Sequence, residues 1–149
     1  MKLKLLLQLS FLFSVVFAFT TKTPYTDDLI IEPLLKTDTT IIGQRISYPQ
    51  VERAEVSMLK ITLKPGVTTG WHKHQIPLFA YVLQGVLTVA RENGEYQQFE
   101  AGTAIAEIMD TYHQGINNGA EPVVLIAFYL GGDDIPLVER KKENLYIKK

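Results

Sequence analysis

The chain has 149 residues, a net charge of −1, 46% hydrophobic residues and no cysteine, a length that suits one domain. The near-balance of charge excludes the broad basic footprint of a nucleic-acid binder. The missing cysteines exclude a disulfide framework, a thiolate nucleophile and thiolate metal ligands.

At the N-terminus, Lys2 and Lys4 precede the apolar run Leu5–Phe17, and Val16-Phe17-Ala18 has the small or apolar pattern of a cleavage site. Residues 1–18 therefore read as a secretory signal peptide. The competing reading is an uncleaved anchor, but the apolar run is shorter than the roughly 20 residues a spanning helix needs. Cleavage would remove Lys2 and Lys4 and take the net charge to −3. The expected product is exported, periplasmic or secreted, with no stable membrane insertion. Residues 19–28 read as a flexible leader, 29–134 as the folded domain and 135–149 as a C-terminal tail.

Leu29–Leu35 and Thr40–Ser47 are short runs rich in Ile and Thr and predict two N-terminal strands. Leu59, Ile61 and Leu63 alternate with Lys60, Thr62 and Lys64, the period of a half-buried strand, which Pro65-Gly66 ends. Further strands are expected over Trp71–Ile76, Phe79–Leu83, Val86–Arg91, Glu95–Phe99, Thr103–Met109 and Tyr112–Ile116. Asn93-Gly94 marks a hairpin between two of them. Val123–Leu130 is continuously apolar and predicts a strand buried on both faces. No segment carries a 3.6-residue apolar period over three turns. About ten short strands separated by turns argue for an all-β sandwich or barrel. The tail, with VERKKENLYIKK, reads as a solvated basic segment or an extra edge strand.

The chain has three histidines. His72 and His74 alternate along one strand, so they face the same way about 7 Å apart. That is half of a metal site. The same spacing also suits two surface histidines on a strand edge. His113 follows 39 residues after His74.

Gly66, His72, His74 and Gly85 resemble the first motif of the cupin superfamily, and Gly102, His113 and Asn117 resemble the second. The resemblance spans roughly Leu59 to Leu130. It implies a single cupin jelly-roll β-barrel, or double-stranded β-helix. Three positions depart from the family pattern. Its usual Glu ligand falls at Leu78, and its usual Pro and Gly of the second motif fall at Ile108 and Asp110. The implied metal centre is therefore His72, His74 and His113 without the customary carboxylate. Imidazole donors suit a divalent transition metal, Fe, Mn, Ni, Cu or Zn, and three of them leave coordination positions open.

Glu107, six residues before His113, is the candidate replacement. If it points inward it can act as a fourth ligand, orient a ligand, or serve as a catalytic base; outward, it is an ordinary surface charge. Leu78, Phe79, Tyr81 and Tyr112 are candidate pocket residues, with Trp71 nearby. No organic-cofactor residues are assigned. The resemblance implies an exported metal-binding cupin, in one reading a mononuclear-metal oxidoreductase of dioxygenase type acting on a small organic molecule. The alternative is a non-catalytic module that binds a small molecule or a metal. Expected partners are a small-molecule ligand or substrate, no nucleic acid, and a second copy in a homodimer.

Overall fold

The computed structural model describes residues 28–142. The expected signal peptide, most of the expected leader and the end of the basic tail lie outside the described residues. Residues 1–32 and 33–149 separate into two units; of the first, Asp28–Glu32 are described, and they are exposed.

Among the described residues nine strands follow in order: β1 (Ala54–Leu63), β2 (His72–Lys73), β3 (Leu78–Gln84), β4 (Val86–Arg91), β5 (Tyr96–Glu100), β6 (Ala104–Ala106), β7 (His113–Ile116), β8 (Val123–Gly132) and β9 (Glu139–Arg140). They form two antiparallel sheets, one of order β1-β8-β3-β6 and one of order β5-β4-β7-β2-β9. The fold is all-β, as the turn-punctuated alternation predicts. The hydrogen-bonded strands do not run continuously around a closed barrel. They form two layers, whose inner faces supply one core containing Leu78, Val82 and Leu125 from the first sheet and Leu87 and Val89 from the second. Among the described residues no helix is long and apolar enough to cross a membrane.

Several elements differ from the sequence expectation. No strand precedes Ala54 among the described residues. Leu29–Leu35 is exposed throughout, so it has no sheet to pair with, and Pro33 removes one donor from its middle. Thr40–Ser47 is a turn closed by an isolated bridge between Thr39 and Arg45. Val123–Leu130 is buried on its inner face only. Its outward residues are half-buried, and Phe128 is 38% exposed, because no described layer covers the outside of that sheet. The tail, read as a solvated segment or an extra edge strand, supplies the edge strand β9, and its Ile135 and Leu137 pack against the core.

Two turn residues position the site strands. Asn117 is fully buried, donates to the carbonyls of Leu63 and Glu121 and accepts the Gly119 amide, so it holds the turn after β7. Gly85 joins β3 to β4 with φ +78°, and a Cβ there would meet the Pro122 carbonyl oxygen at 2.7 Å. Neither the backbone conformation nor the space suits a side chain. Gly85→Ala is therefore expected to lower stability by about 2–3 kcal/mol, read from the midpoint of a urea denaturation curve.

Candidate metal centre

His72 on β2 lies directly opposite His113 on β7. Directly opposed residues of an antiparallel pair share a face, so one register fact brings the two motifs together. His74, two residues along, turns to the same side. The three rings have centroid separations of 4.9, 4.7 and 5.2 Å, and all three residues are buried.

Each ring is anchored through Nδ1 to a backbone carbonyl. The acceptors are Gly70 at 2.7 Å for His72, Leu137 at 2.7 Å for His74 and Thr111 at 2.8 Å for His113. A carbonyl can only accept, so each Nδ1 carries the proton and each Nε2 presents a lone pair. The three residues offer ligand atoms that all lie within 4.8 Å of one another. Nε2 of His74 and of His113 is buried with no hydrogen-bond partner.

Glu107 points inward. Its amide donates to the Leu78 carbonyl at 2.8 Å, extending the pairing of β6 with β3. It is therefore the cross-strand neighbour of Leu78. The carboxylate missing at position 78 stands one strand away, at position 107. Its Oε1 lies 3.7 Å from His113 Nε2, too far for a hydrogen bond, and is buried without a partner.

Burial governs the titration of all four groups. It lowers the pKa of His72 and His113, and brings His74 down to about 4 against the opposing pull of the Leu137 hydrogen bond. It raises Glu107 to about 7, with the charge of His72 pulling the other way. At neutral pH the imidazoles are neutral, so the Glu107–His113 contact is not an ion pair. Three bare imidazole nitrogens and one unpartnered carboxyl oxygen, converging in a buried space, fit a divalent transition metal. The three histidines form a group that can hold such an ion.

The centre opens on a cavity of about 240 Å³ walled by Leu63, Leu78, Leu87, Val89 and Leu125, with Tyr129 beside His74. Three sequence candidates lie elsewhere. Phe79 and Tyr81 alternate with the inward Leu78 and Ala80, so they face the outside of their sheet. Tyr112 is also outside: its hydroxyl bonds Glu139, and Lys73 and Lys141 approach its ring. Gln75 likewise bonds the outward Glu139. The sequence reading passed over Thr69, Tyr129, Val138 and Arg140, which line the cavity.

Residues 59–129 match the cupin domain family, Cupin_2. The match covers 71 of the 149 residues and likens this segment to a cupin domain. Asp110, where the family usually has Gly, has φ +49°, so the position keeps the left-handed backbone with a residue type that tolerates it. Solved structures share the fold. A Klebsiella pneumoniae protein with a double-stranded β-helix domain aligns over 61% of this chain and 80% of its own, at 19% identity and TM-score 0.51. A polyketide cyclase from Streptomyces resistomycificus aligns over 61% of this chain and 65% of its own, at 18% identity and TM-score 0.51. A DMSP lyase from Ruegeria pomeroyi aligns over 58% of this chain and 43% of its own, at 13% identity and TM-score 0.50. At these identities the likeness is one of fold. Comparison with curated proteins gives no match.

The pairing of Leu78 with Glu107 leads to a prediction. Exchanging the two residues, Leu78→Glu with Glu107→Leu, keeps one carboxylate and one leucine on the same stretch of wall. The double variant is expected to retain metal, whereas Leu78→Glu alone places two carboxylates side by side and should shift metal preference towards harder ions. Elemental analysis after dialysis against mixed divalent metals checks both. Unchanged metal content and preference in the single variant would show that position 78 does not reach the ion.

Proposed function

We propose that this cupin is a metal-dependent enzyme acting on a small organic molecule, of the mononuclear oxidoreductase, dioxygenase-like class, in an exported protein. The observation that carries the reading is the unpartnered Glu107 carboxyl oxygen beside three convergent, bare imidazole nitrogens. A structural metal site is closed by its ligands, whereas three histidines leave positions for a substrate.

A bound divalent ion supplies Lewis-acid and redox chemistry at those open positions. The chain does the rest. His72, His74 and His113 hold the ion, and their carbonyl-anchored Nδ1–H groups keep the rings from turning. The leucine and valine wall excludes water. Burial raises Glu107 to about 7 in the metal-free protein, and its carboxyl beside His113 is placed to exchange a proton with a bound substrate. It accepts a proton from the substrate at a carboxylate oxygen and returns it to product or solvent.

The test is oxygen uptake by metal-loaded protein with candidate substrates. Glu107→Gln should keep its metal and slow turnover by about a hundredfold or more. Leu78 favours one other reading, a non-catalytic binding module, because an apolar residue replaces the customary carboxylate. That reading predicts ligand binding without oxygen uptake and no effect of Glu107→Gln. For export, the intact mass of the protein recovered outside the cytoplasm should lack the first 18 residues. A full-length mass in a membrane fraction would support the anchor instead.

A further inference from the structure

We propose that Arg140 makes the mouth of the metal cavity a receptor for a carboxylate, so that the substrate class is a small organic acid with an apolar body. This rests on reading the three histidines as a metal site. β9 pairs antiparallel with β2, setting Arg140 opposite His72 and Glu139 opposite Lys73. Opposed residues share a face. Glu139 accordingly turns outward to Lys73, Gln75 and Tyr112, and Arg140 lines the cavity beside His72.

Arg140 has little else to do. The other three arginines each approach a carboxylate: Arg45 has Asp38, Arg53 has Asp133 and Asp134, and Arg91 has Glu95. Among the described residues no carboxylate lies within 4.0 Å of Arg140. Among the described residues its one hydrogen bond is a long one, Nη1 to the Thr69 carbonyl at 3.5 Å. A guanidinium has five N–H donors in a planar fork that matches a carboxylate. Most of that fork is unused.

The charge balance points the same way. Three neutral imidazoles offset none of the charge of a divalent ion. Glu107 offsets one unit and Arg140 adds one back. The mouth of an otherwise apolar cavity is thus positive, and only an anionic substrate neutralises it. An acid with a hydrocarbon body places its carboxylate between Arg140 and the metal and its body against Leu63, Leu87 and Leu125.

Isothermal titration of the zinc-loaded protein tests this with phenylacetate, benzoate and isovalerate, each against its uncharged amide. The acids are expected to bind at least about tenfold more tightly than their amides. Arg140→Gln should weaken acid binding far more than amide binding, cutting the preference to what the metal alone supports, and Arg140→Lys should retain part of the difference. Metal-free protein should keep a weaker acid preference that still depends on Arg140. Equal binding of acids and amides by the wild type overturns the proposal without any variant being needed. So does an acid preference of the metal-free protein that survives Arg140→Gln, or no binding of any acid at about 10 mM. Failure to hold zinc would instead sink the metal reading, with the metal-free titration still deciding the role of Arg140.

Discussion

Replacing His113 with alanine is expected to abolish stoichiometric metal binding, with affinity reduced by well over a hundredfold. The structure sets the scale. Changes to groups that merely orient a ligand cost 10–100-fold in affinity, and His113 would itself be a ligand. Nothing nearby can substitute: the ring is buried, and the closest other candidate donor, the Glu107 carboxylate, already faces the same space. His72→Ala and His74→Ala should behave alike, because the three rings are mutually equidistant to within about half an ångström. Inductively coupled plasma mass spectrometry on dialysed protein reads the outcome. Retention of about one metal per chain by any of the three variants would remove that histidine from the centre. Acid should mimic the substitutions. Metal binding requires neutral imidazole, and burial lowers the histidine pKa values, to about 4 for His74. The imidazoles therefore stay neutral below the ordinary histidine value of about 6.5, and metal should be held into that range and lost as pH falls towards 4, with more than one proton taken up per ion released.

Glu107→Gln should stabilise the metal-free protein at pH 8 by roughly 3 kcal/mol and change little at pH 4. Burial raises the folded-state pKa of Glu107 from 4.5 to about 7. Between these values the folded protein holds a proton that the unfolded chain has released. Stability from this group is thus full below 4.5 and is lost as pH rises towards 7, by about 1.4 kcal/mol per unit of pKa difference. Glutamine never ionises and removes the loss. His74 works in the opposite direction. Its pKa is depressed, so the unfolded chain binds a proton below 6.5 that the folded one refuses until about 4, and stability falls as pH falls through that window. Taking the difference between variant and wild type cancels the histidine contribution. Chemical denaturation of chelator-treated protein at pH 4 and pH 8 supplies it. A variant equal to wild type at pH 8 would mean that Glu107 ionises without cost and is solvated in solution. With metal bound the sign should reverse, because the divalent charge favours the carboxylate and glutamine loses that attraction.

The sequence by itself determined the class of the fold and singled out the three histidines that come together. Alternation in Leu59–Leu63, the Asn93-Gly94 turn and the spacing of two histidine motifs are local patterns, and a strand repeats every two residues whatever packs against it. His72 and His74 had to share a face once they lay on one strand. Local pattern did not reveal which strands became neighbours. The register that sets His72 against His113 and Arg140, and Leu78 against Glu107, depends on pairing between residues far apart in the chain. That pairing decided that Glu107 faces inward, that Phe79, Tyr81 and Tyr112 face away, and that Leu29–Leu35 forms no strand despite its composition. The reason is physical. Strand propensity measures how well a side chain fits a half-buried pleated surface, and only the assembled sheets define where that surface is. The C-terminal segment shows this most plainly. Its charges left open a solvated tail or an extra edge strand; β2 had a free edge for β9 to complete, so Leu137 supplies the carbonyl that orients His74 and Arg140 stands at the mouth of the cavity.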